Sequence, residues 1–326
     1  MRKLFLGLDT SNYTTSAALC DENGTVLLNQ KRLLPVKAGE RGLRQSDAVF
    51  LHVKALEETA TAVREILASA EGNIAAVGCS VAPRDAEGSY MPCFLVGSGV
   101  GKMIASVLNV PVYSFSHQAG HMMAAACSAC LENGLDLWEW IRHPFLAFHI
   151  SGGTTDIIHT VPSETKILEA ERIGGTLDIN AGQLIDRIGV EMGLSFPCGA
   201  AMDRMACACA VRVPKAPIHV KELNCNLSGL ENKARQLLTT EDGSPEITSK
   251  YVLHAVAATL LRLTEHLKEQ YPALPVVYAG GVMSSQYVRP FLSPHGMFAE
   301  PVYASDNAAG IALLAREAWK RGIQHG

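Results

Sequence analysis

Residues 145–161, Phe145-Leu-Ala-Phe-His-Ile150-Ser-Gly-Gly-Thr-Thr-Asp156-Ile-Ile-His-Thr-Val161, decide the fold. An apolar strand enters a Ser-Gly-Gly turn and a second apolar strand leaves it. Glycine lets the main chain approach an oxyanion closely, so this pattern suits a backbone phosphate cradle as well as an ordinary hairpin. A second such turn, Val276-Val-Tyr-Ala-Gly280-Gly281-Val-Met-Ser284, stands far along the chain, again at a strand end. Two strand–Gly-Gly elements opening onto polar residues predict one nucleotide held between two lobes. The segments around them alternate between strand and helix periodicity, an α/β pattern.

Upstream of the first turn, Val110 to Phe115 reads as a strand and Ser116-His117-Gln118-Ala119-Gly120-His121 as the start of a helix capped by Ser116. The two histidines then fall one turn apart on one face, the spacing a metal takes from two imidazoles; such pairs also occur on solvated or half-buried faces. Gly120 is out of place inside a helix unless something approaches closely. Gln118 stands where a zincin protease needs its glutamate, which argues against peptide hydrolysis.

Nearer the N-terminus, Leu4 to Leu8 is a buried strand and Asp9 to Ser16 reads as a polar loop before the run Ala17 to Cys20. A hairpin with hydroxyls and an acid at its start holds phosphate and its metal in some proteins and is a plain surface turn in others. Residues 30–46, with Lys31, Arg32, Lys37, Arg41 and Arg44, read as an exposed basic loop. Ser46 to Ala70 has helical apolar spacing, Ile74 to Val81 is a strand, and Cys93 to Leu108 is a glycine-interrupted helix. Downstream, a helix starts within Asp178 to Arg187; Asp186 there suits a ribose, a pair with Arg187, or a turn cap. A helix opens within Cys225 to Leu230, and Tyr251 to Glu269 is amphipathic with His254 half-buried. Asp306 stands at a helix start, as a cap or as the carboxylate completing the histidine site.

Composition sets the bounds. The chain has 326 residues, enough for two lobes, with 48% hydrophobic and 18% charged residues, which excludes a disordered polymer. A formal charge of −4 gives no general polyanion-binding surface, so nucleic-acid contact needs a local basic patch or a partner. Nine cysteines without disulfide-scaffold spacing, and no signal peptide, point to a reducing cytosol. Cys127-x-x-Cys130 and Cys207-Ala-Cys209 lie in alanine-rich helical runs and read as small packing residues. No apolar stretch reaches the length of a membrane span.

Taken in order along essentially the whole chain, these motifs resemble the TsaD-like family, the catalytic subunit of tRNA threonylcarbamoyladenosine synthesis once labelled a sialoglycoprotein endopeptidase. Residues 6–16 match its first phosphate segment, His117-x-x-x-His121 its metal pair and Ser151-Gly152-Gly153 its Ser-Gly-Gly turn. Asp178 to Asp186 matches the following helix, Asn226-Leu-Ser-Gly-Leu230 the Ser-Gly-Leu segment, Ala279-Gly-Gly-Val282 the adenosine turn, and Asp306-Asn307 the last metal ligand.

The resemblance implies an actin-like ATPase (ASKHA) fold: residues 1–115 with the terminal helix 306–326 as one lobe, 116–305 as the other, and the active site in the cleft. It implies one divalent metal, iron or zinc, on His117, His121 and Asp306, with His149 as an optional further ligand. ATP or an acyl-adenylate would bind Asn12, Ser151, Gly152, Gly153, Asp186, Gly199, Asp203, Gly280, Gly281 and Ser285. The reaction would move a threonylcarbamoyl group from its adenylate to N6 of adenosine 37 in tRNA, in the cytoplasm. TsaB- or TsaE-like partner proteins or a homodimer would assist, and no residue is nominated as a covalent nucleophile. The family's Ser-Gly-Gly-His-Thr-Gln reads Ser151-Gly-Gly-Thr154-Thr-Asp156 here, Asn12-Tyr13 replaces Cys-Asp, Ile179-Asn180 replaces Asp-Ala, and Ser285 replaces an asparagine. These departures mark a diverged member or paralogue, and leave open a carbamoyltransferase with another acceptor or a non-catalytic nucleotide-binding subunit.

Overall fold

The structure, a computed structural model, describes residues 1–11, 13–35, 43–240, 243–304 and 308–324. The chain begins with an antiparallel meander, β1 (Arg2–Ser11), β2 (Thr14–Asp21) and β3 (Val26–Leu33). Then come α1 (Gln45–Ser69), β4 (Gly72–Ala82), α2 (Phe94–Leu108) and β5 (Val112–Ser116). Strand β4 returns parallel to β1 and β5 parallel to β4, which gives a five-stranded sheet in the order β3-β2-β1-β4-β5. Helices α3 (His117–Asn133) and α4 (Leu137–Trp140) lead to a second meander, β6 (Phe145–Ile150), β7 (Thr155–Ser163) and β8 (Ile167–Thr176).

The second half continues with α5 (Ala181–Glu191), α6 (Gly199–Ala208), the short β9 (His219–Lys221) and β10 (Asn224–Asn226), α7 (Ser228–Leu238) and α8 (Pro245–Gln270). It ends with β11 (Val276–Ala279), a 3-10 turn (Gly281–Ser284), α9 (Arg289–Leu292), β12 (Met297–Phe298), α10 (Pro301–Ala304) and α11 (Ala309–Lys320). Its sheet runs β12-β11-β6-β7-β8-β10-β9. Strands β8-β7-β6-β11-β12 repeat the order and directions of β3-β2-β1-β4-β5. The β1–β2 and β6–β7 hairpins are therefore equivalent elements of two like units. Helix α11 packs on β1, β2 and β4 of the first sheet, and α3 packs on α11 and on β8, β11 and β12 of the second. The helix that carries the histidine pair thus contacts both units.

The polar stretch Asp9 to Ser16 is not the loop expected. Strand β1 runs through Ser11, β2 begins at Thr14, and these side chains are buried. Most of these buried polar groups find partners, as burial requires. Thr10 Oγ1 donates to Cys93 O at 2.8 Å and accepts from the Gly97 N–H at 3.0 Å, Thr15 Oγ1 meets His52 Nδ1 at 2.7 Å, and Ser16 donates to Asp9 O at 3.3 Å. The basic loop is also shorter than expected, since β3 takes Lys31 and Arg32; Lys37 and Arg41 lie outside the described residues. Cys127 and Cys130 are buried, as packing residues are, and burial lifts their thiols to about 11 and about 12, which keeps both protonated at neutral pH. Cys207 departs from the packing role expected of it, because α6 turns that face outward and leaves it exposed.

Helix α7 has no side-chain oxygen of its own at its N-cap, Leu227. Asp178, ahead of α5, serves instead, accepting from Leu227 N–H at 2.8 Å, Ser228 N–H at 3.1 Å and the Ser228 hydroxyl at 2.6 Å. Burial alone would raise its pKa, but these bonds and one from Ile179 N–H hold it well below the usual carboxylate range. A lowered folded pKa stabilises the fold above the unfolded value of about 3.9 and loses that contribution as pH falls through the folded pKa. Asp178→Ala is expected to lower stability by about 1 kcal/mol at neutral pH, as loss of a cap does. The gap to wild type should narrow as urea denaturation is repeated below about pH 4.

Candidate functional site

Strand β5 ends at Ser116, whose hydroxyl accepts the Ala119 N–H at 3.1 Å and starts α3 as the sequence predicts. His117 and His121 then face each other, Nε2 to Nε2, at 2.9 Å. Asp9, near the end of β1, meets His117 Nδ1 through Oδ2 at 2.6 Å. A carboxylate that accepts from Nδ1–H leaves the Nε2 lone pair facing outward, the tautomer that ligates metal. His149, next to last in β6, brings its ring to 4.5 Å from that of His121, centroid to centroid.

Two nitrogens at 2.9 Å stand near the ~3.3 Å that separates neighbouring ligand atoms on a tetrahedral metal with bonds of about 2.0–2.1 Å. The imidazole pair therefore fits a divalent ion in chemistry and spacing. On elements that carry or adjoin the pair, Ser11 Oγ at the end of β1, Ser80 Oγ in β4 and Gln118 Oε1 in the first turn of α3 have no hydrogen-bond partner among the described residues, a condition that bound ions, water or ligands relieve. Among the described residues no three His, Cys, Asp or Glu side chains group as a metal site, and Asp306 and Asn12 lie outside those residues.

The two Gly-Gly turns meet. A Cβ on Gly280, at φ +103°, would stand 2.2 Å from Ile150 O, and one on Gly182 would stand 2.6 Å from Gly152 Cα and N and from Ser151 O. Gly182 N–H donates to Ser151 O at 3.2 Å, so the first turn of α5 lies directly on the Ser-Gly-Gly backbone. Beside this junction opens a pocket of about 900 Å³, within the range of small-ligand sites. Gly152, Asp186, Gly199, Asp203, Gly281 and Ser285 line it; Ser151, Gly153 and Gly280 belong to the adjoining turns. His149 and Gly152 are three residues apart, which limits the separation of histidine cluster and pocket wall to ~10 Å along the chain.

The acids differ in how far they are committed. Asp186 is half-buried and accepts from Cys198 N–H at 2.8 Å; burial raises its pKa and that bond opposes the rise. Arg187 turns away to Glu231 at 3.1 Å, so Asp186 is not its partner. Asp203 accepts from the Ser285 hydroxyl, from Gln286 N–H at 2.9 Å and from Tyr287 N–H at 3.1 Å. Asp203 and Ser285 thus pin one edge of the pocket together. The close approach implied by Gly120 is that of α11, since a Cβ there would come within 2.8 Å of Ile311 Cδ1. His254 is half-buried beside Tyr287, whose hydroxyl lies 3.3 Å from its Nδ1.

Sequence reasoning missed a charged cluster beside the histidines. Asp156 receives Arg84 Nη2 at 3.0 Å and Arg172 Nε at 2.5 Å. Asp85 receives the Ser116 hydroxyl at 2.6 Å and Lys166 Nζ at 3.1 Å. The segment after β4 of the first sheet is thereby tied to the β7–β8 hairpin of the second. Its only sequence signal was Asp156 itself, in a place where the resembling family has glutamine.

A family model described as TsaD, tRNA N6-adenosine threonylcarbamoyltransferase, matches residues 50–313. A curated relative from Neorickettsia sennetsu, named tRNA N6-adenosine threonylcarbamoyltransferase, is 27% identical over 336 aligned positions, covering 98% of this chain and 94% of that protein. Component A of (R)-2-hydroxyglutaryl-CoA dehydratase from Acidaminococcus fermentans superposes with a TM-score of 0.51 at 15% identity, over 99% of each chain. HypF from T. kodakarensis superposes with a TM-score of 0.59 at 12% identity, over 98% of this chain and 48% of that one. These likenesses show the actin-like ATPase fold.

Proposed function

The chain belongs to the TsaD family, and from that premise we propose that it is a tRNA N6-adenosine threonylcarbamoyltransferase acting on adenosine 37. The observation that carries this reading is that one short segment, 149–153, reaches both the histidine cluster, through His149, and the 900 Å³ pocket, through Gly152. An adenylate in the pocket has the Gly152 backbone beside its phosphate and Asp186 on the wall for its ribose, and its acyl group extends toward the histidines. His117 and His121 would hold iron or zinc, with Asp306 and His149 completing the set and Asp9 fixing the His117 ring. When bound, such a metal supplies Lewis-acid polarisation of a carbonyl or phosphoryl oxygen. N6 of the adenosine attacks the carbamoyl carbon, the bond from that carbon to the phosphate oxygen breaks, and AMP leaves with the electron pair while N6 gives up a proton. The remaining nucleotide contacts fall to Asn12, Ser151, Gly153, Gly199, Gly280 and Gly281, with Asp203 and Ser285 shaping the edge.

The lobe boundaries at 115 and 305 belong to the same proposal, as do a cytoplasmic location and partner proteins of TsaB- or TsaE-like kind or a second copy of the chain. Leu95, Met103 and Val107 form an exposed apolar ridge along α2, which supports a protein contact there. Among the described residues no helix is long and apolar enough to cross a membrane.

The deciding measurement incubates metal-loaded protein with synthetic threonylcarbamoyl-adenylate and an unmodified tRNA that reads codons beginning with A. Nucleoside analysis is expected to show N6-threonylcarbamoyladenosine at position 37. Consumption of the adenylate without that product would move the assignment to another acceptor.

A further inference from the structure

We propose that Arg84 recognises a carboxylate on the transferred acyl group, an inference that rests on the acyl-transfer reading of this cleft. Asp156 lies directly opposite His149 in the β6–β7 ladder, so the two side chains share a face with Cβ atoms about 5 Å apart. Whatever neutralises Asp156 therefore stands beside the histidine cluster. Two guanidinium groups converge on this one buried carboxylate, which leaves one excess positive charge at the spot.

The two arginines are not equivalent. Arg172 holds Asp156 through Nε and also donates Nη2 to Thr176 O at 3.1 Å, so it is built into the sheet. Arg84 gives a single side-chain donor to Asp156, and its side chain is 49% exposed; its other guanidinium donors meet no protein acceptor among the described residues. Its backbone is fixed on both sides. Pro83 O accepts the Gln118 N–H at 3.1 Å, Arg84 N–H donates to Ser89 Oγ at 3.0 Å, and Asp85 is held by Ser116. Those contacts seat Arg84 against the first turn of α3, which bears His117 and His121. A planar fork with free N–H groups, positioned by a carboxylate behind it, matches an incoming carboxylate edge-on. In the donor that the family name specifies, the threonyl moiety carries one carboxylate, ionised at neutral pH. In the proposed pose the phosphate lies at the Gly152 backbone instead.

The test compares two unreactive sulfamate-linked analogues of threonylcarbamoyl adenosine, the free acid and its methyl ester, by calorimetry on the metal-loaded full chain. Wild type is expected to prefer the acid by about 10- to 100-fold, the range of a charge-assisted pair. Arg84→Gln should bind both analogues alike, near the wild-type affinity for the ester, and Arg84→Lys should recover part of the preference. Arg172 remains on Asp156 in both variants, and an unchanged melting temperature checks their folds. A wild type that binds neither analogue or treats them alike, or an Arg84→Gln chain that keeps the preference, overturns the proposal. Equal loss for acid and ester assigns Arg84 to the phosphate side and overturns it as well. An acid preference with no transfer to tRNA would refute the acceptor and leave the role of Arg84 standing.

Discussion

Replacing His117 and His121 together by alanine is expected to take the chain from one tightly held divalent ion to none, and acyl transfer with it. The rings offer the two nitrogens at 2.9 Å, and with both gone the remaining ligands are carboxylate and at most one imidazole. Loss of a partner that only orients a ligand lowers metal affinity by about 10- to 100-fold. Loss of two ligands must exceed that range, whereas Asp9→Asn should fall inside it because His117 keeps its place and loses only its tautomer lock. Metal content after dialysis and competition with a chelator separate the three chains. Equal metal retention by wild type and the double variant would remove the histidines from the site. Asp9 is 1% exposed, so the double variant also sacrifices a buried hydrogen bond, a loss of about 1–3 kcal/mol that denaturation would detect separately.

Elements with strong local signals were legible. The Ser116 cap, the helical spacing of α1 and α2, and both Gly-Gly turns appear where residue chemistry puts them, because capping and apolar periodicity are properties of neighbours in sequence. What escaped was what distant segments do to one another. Asp9 and His117 are 108 residues apart, and only the return of β4 and β5 beside β1 brings the acid to the ring. Polarity between Asp9 and Ser16 looked like solvent exposure because its hydrogen-bond partners, Cys93, Gly97 and His52, sit on other elements. Asp186 and Arg187 are sequence neighbours whose side chains diverge on a helix, and the arginine found Glu231 instead. The same logic applies to the duplicated strand order. Backbone topology repeats between the two sheets without any repeat that the sequence reading detected.

Gly310→Ala should be among the most disruptive single methyl additions in the chain, with a loss of about 3 kcal/mol or more. Helix α11 crosses α3 here, and the added Cβ would stand 1.8 Å from Gly120 O, 2.7 Å from Gly120 C and 3.0 Å from Ala124 N. All three are main-chain atoms, so no rotamer change relieves the contact. The helices must part across an interface of buried small residues, Ala119, Ala309 and Ala312 among them, and the gap forfeits dispersion contacts on both sides. Alanine's better helix propensity returns only about 1 kcal/mol, so the clash wins. Gly120→Ala is the control on the facing helix. Its Cβ meets Cδ1 and Cγ1 of buried Ile311 at 2.8 and 3.0 Å, side-chain rather than main-chain atoms, and a smaller loss of about 1–3 kcal/mol is expected. Because α3 carries both histidines, Gly310→Ala should also weaken metal binding in whatever fraction stays folded, while Gly120→Ala should not. Equal urea midpoints for Gly310→Ala and wild type would mean that α3 and α11 do not pack through Gly120 and Gly310 in solution.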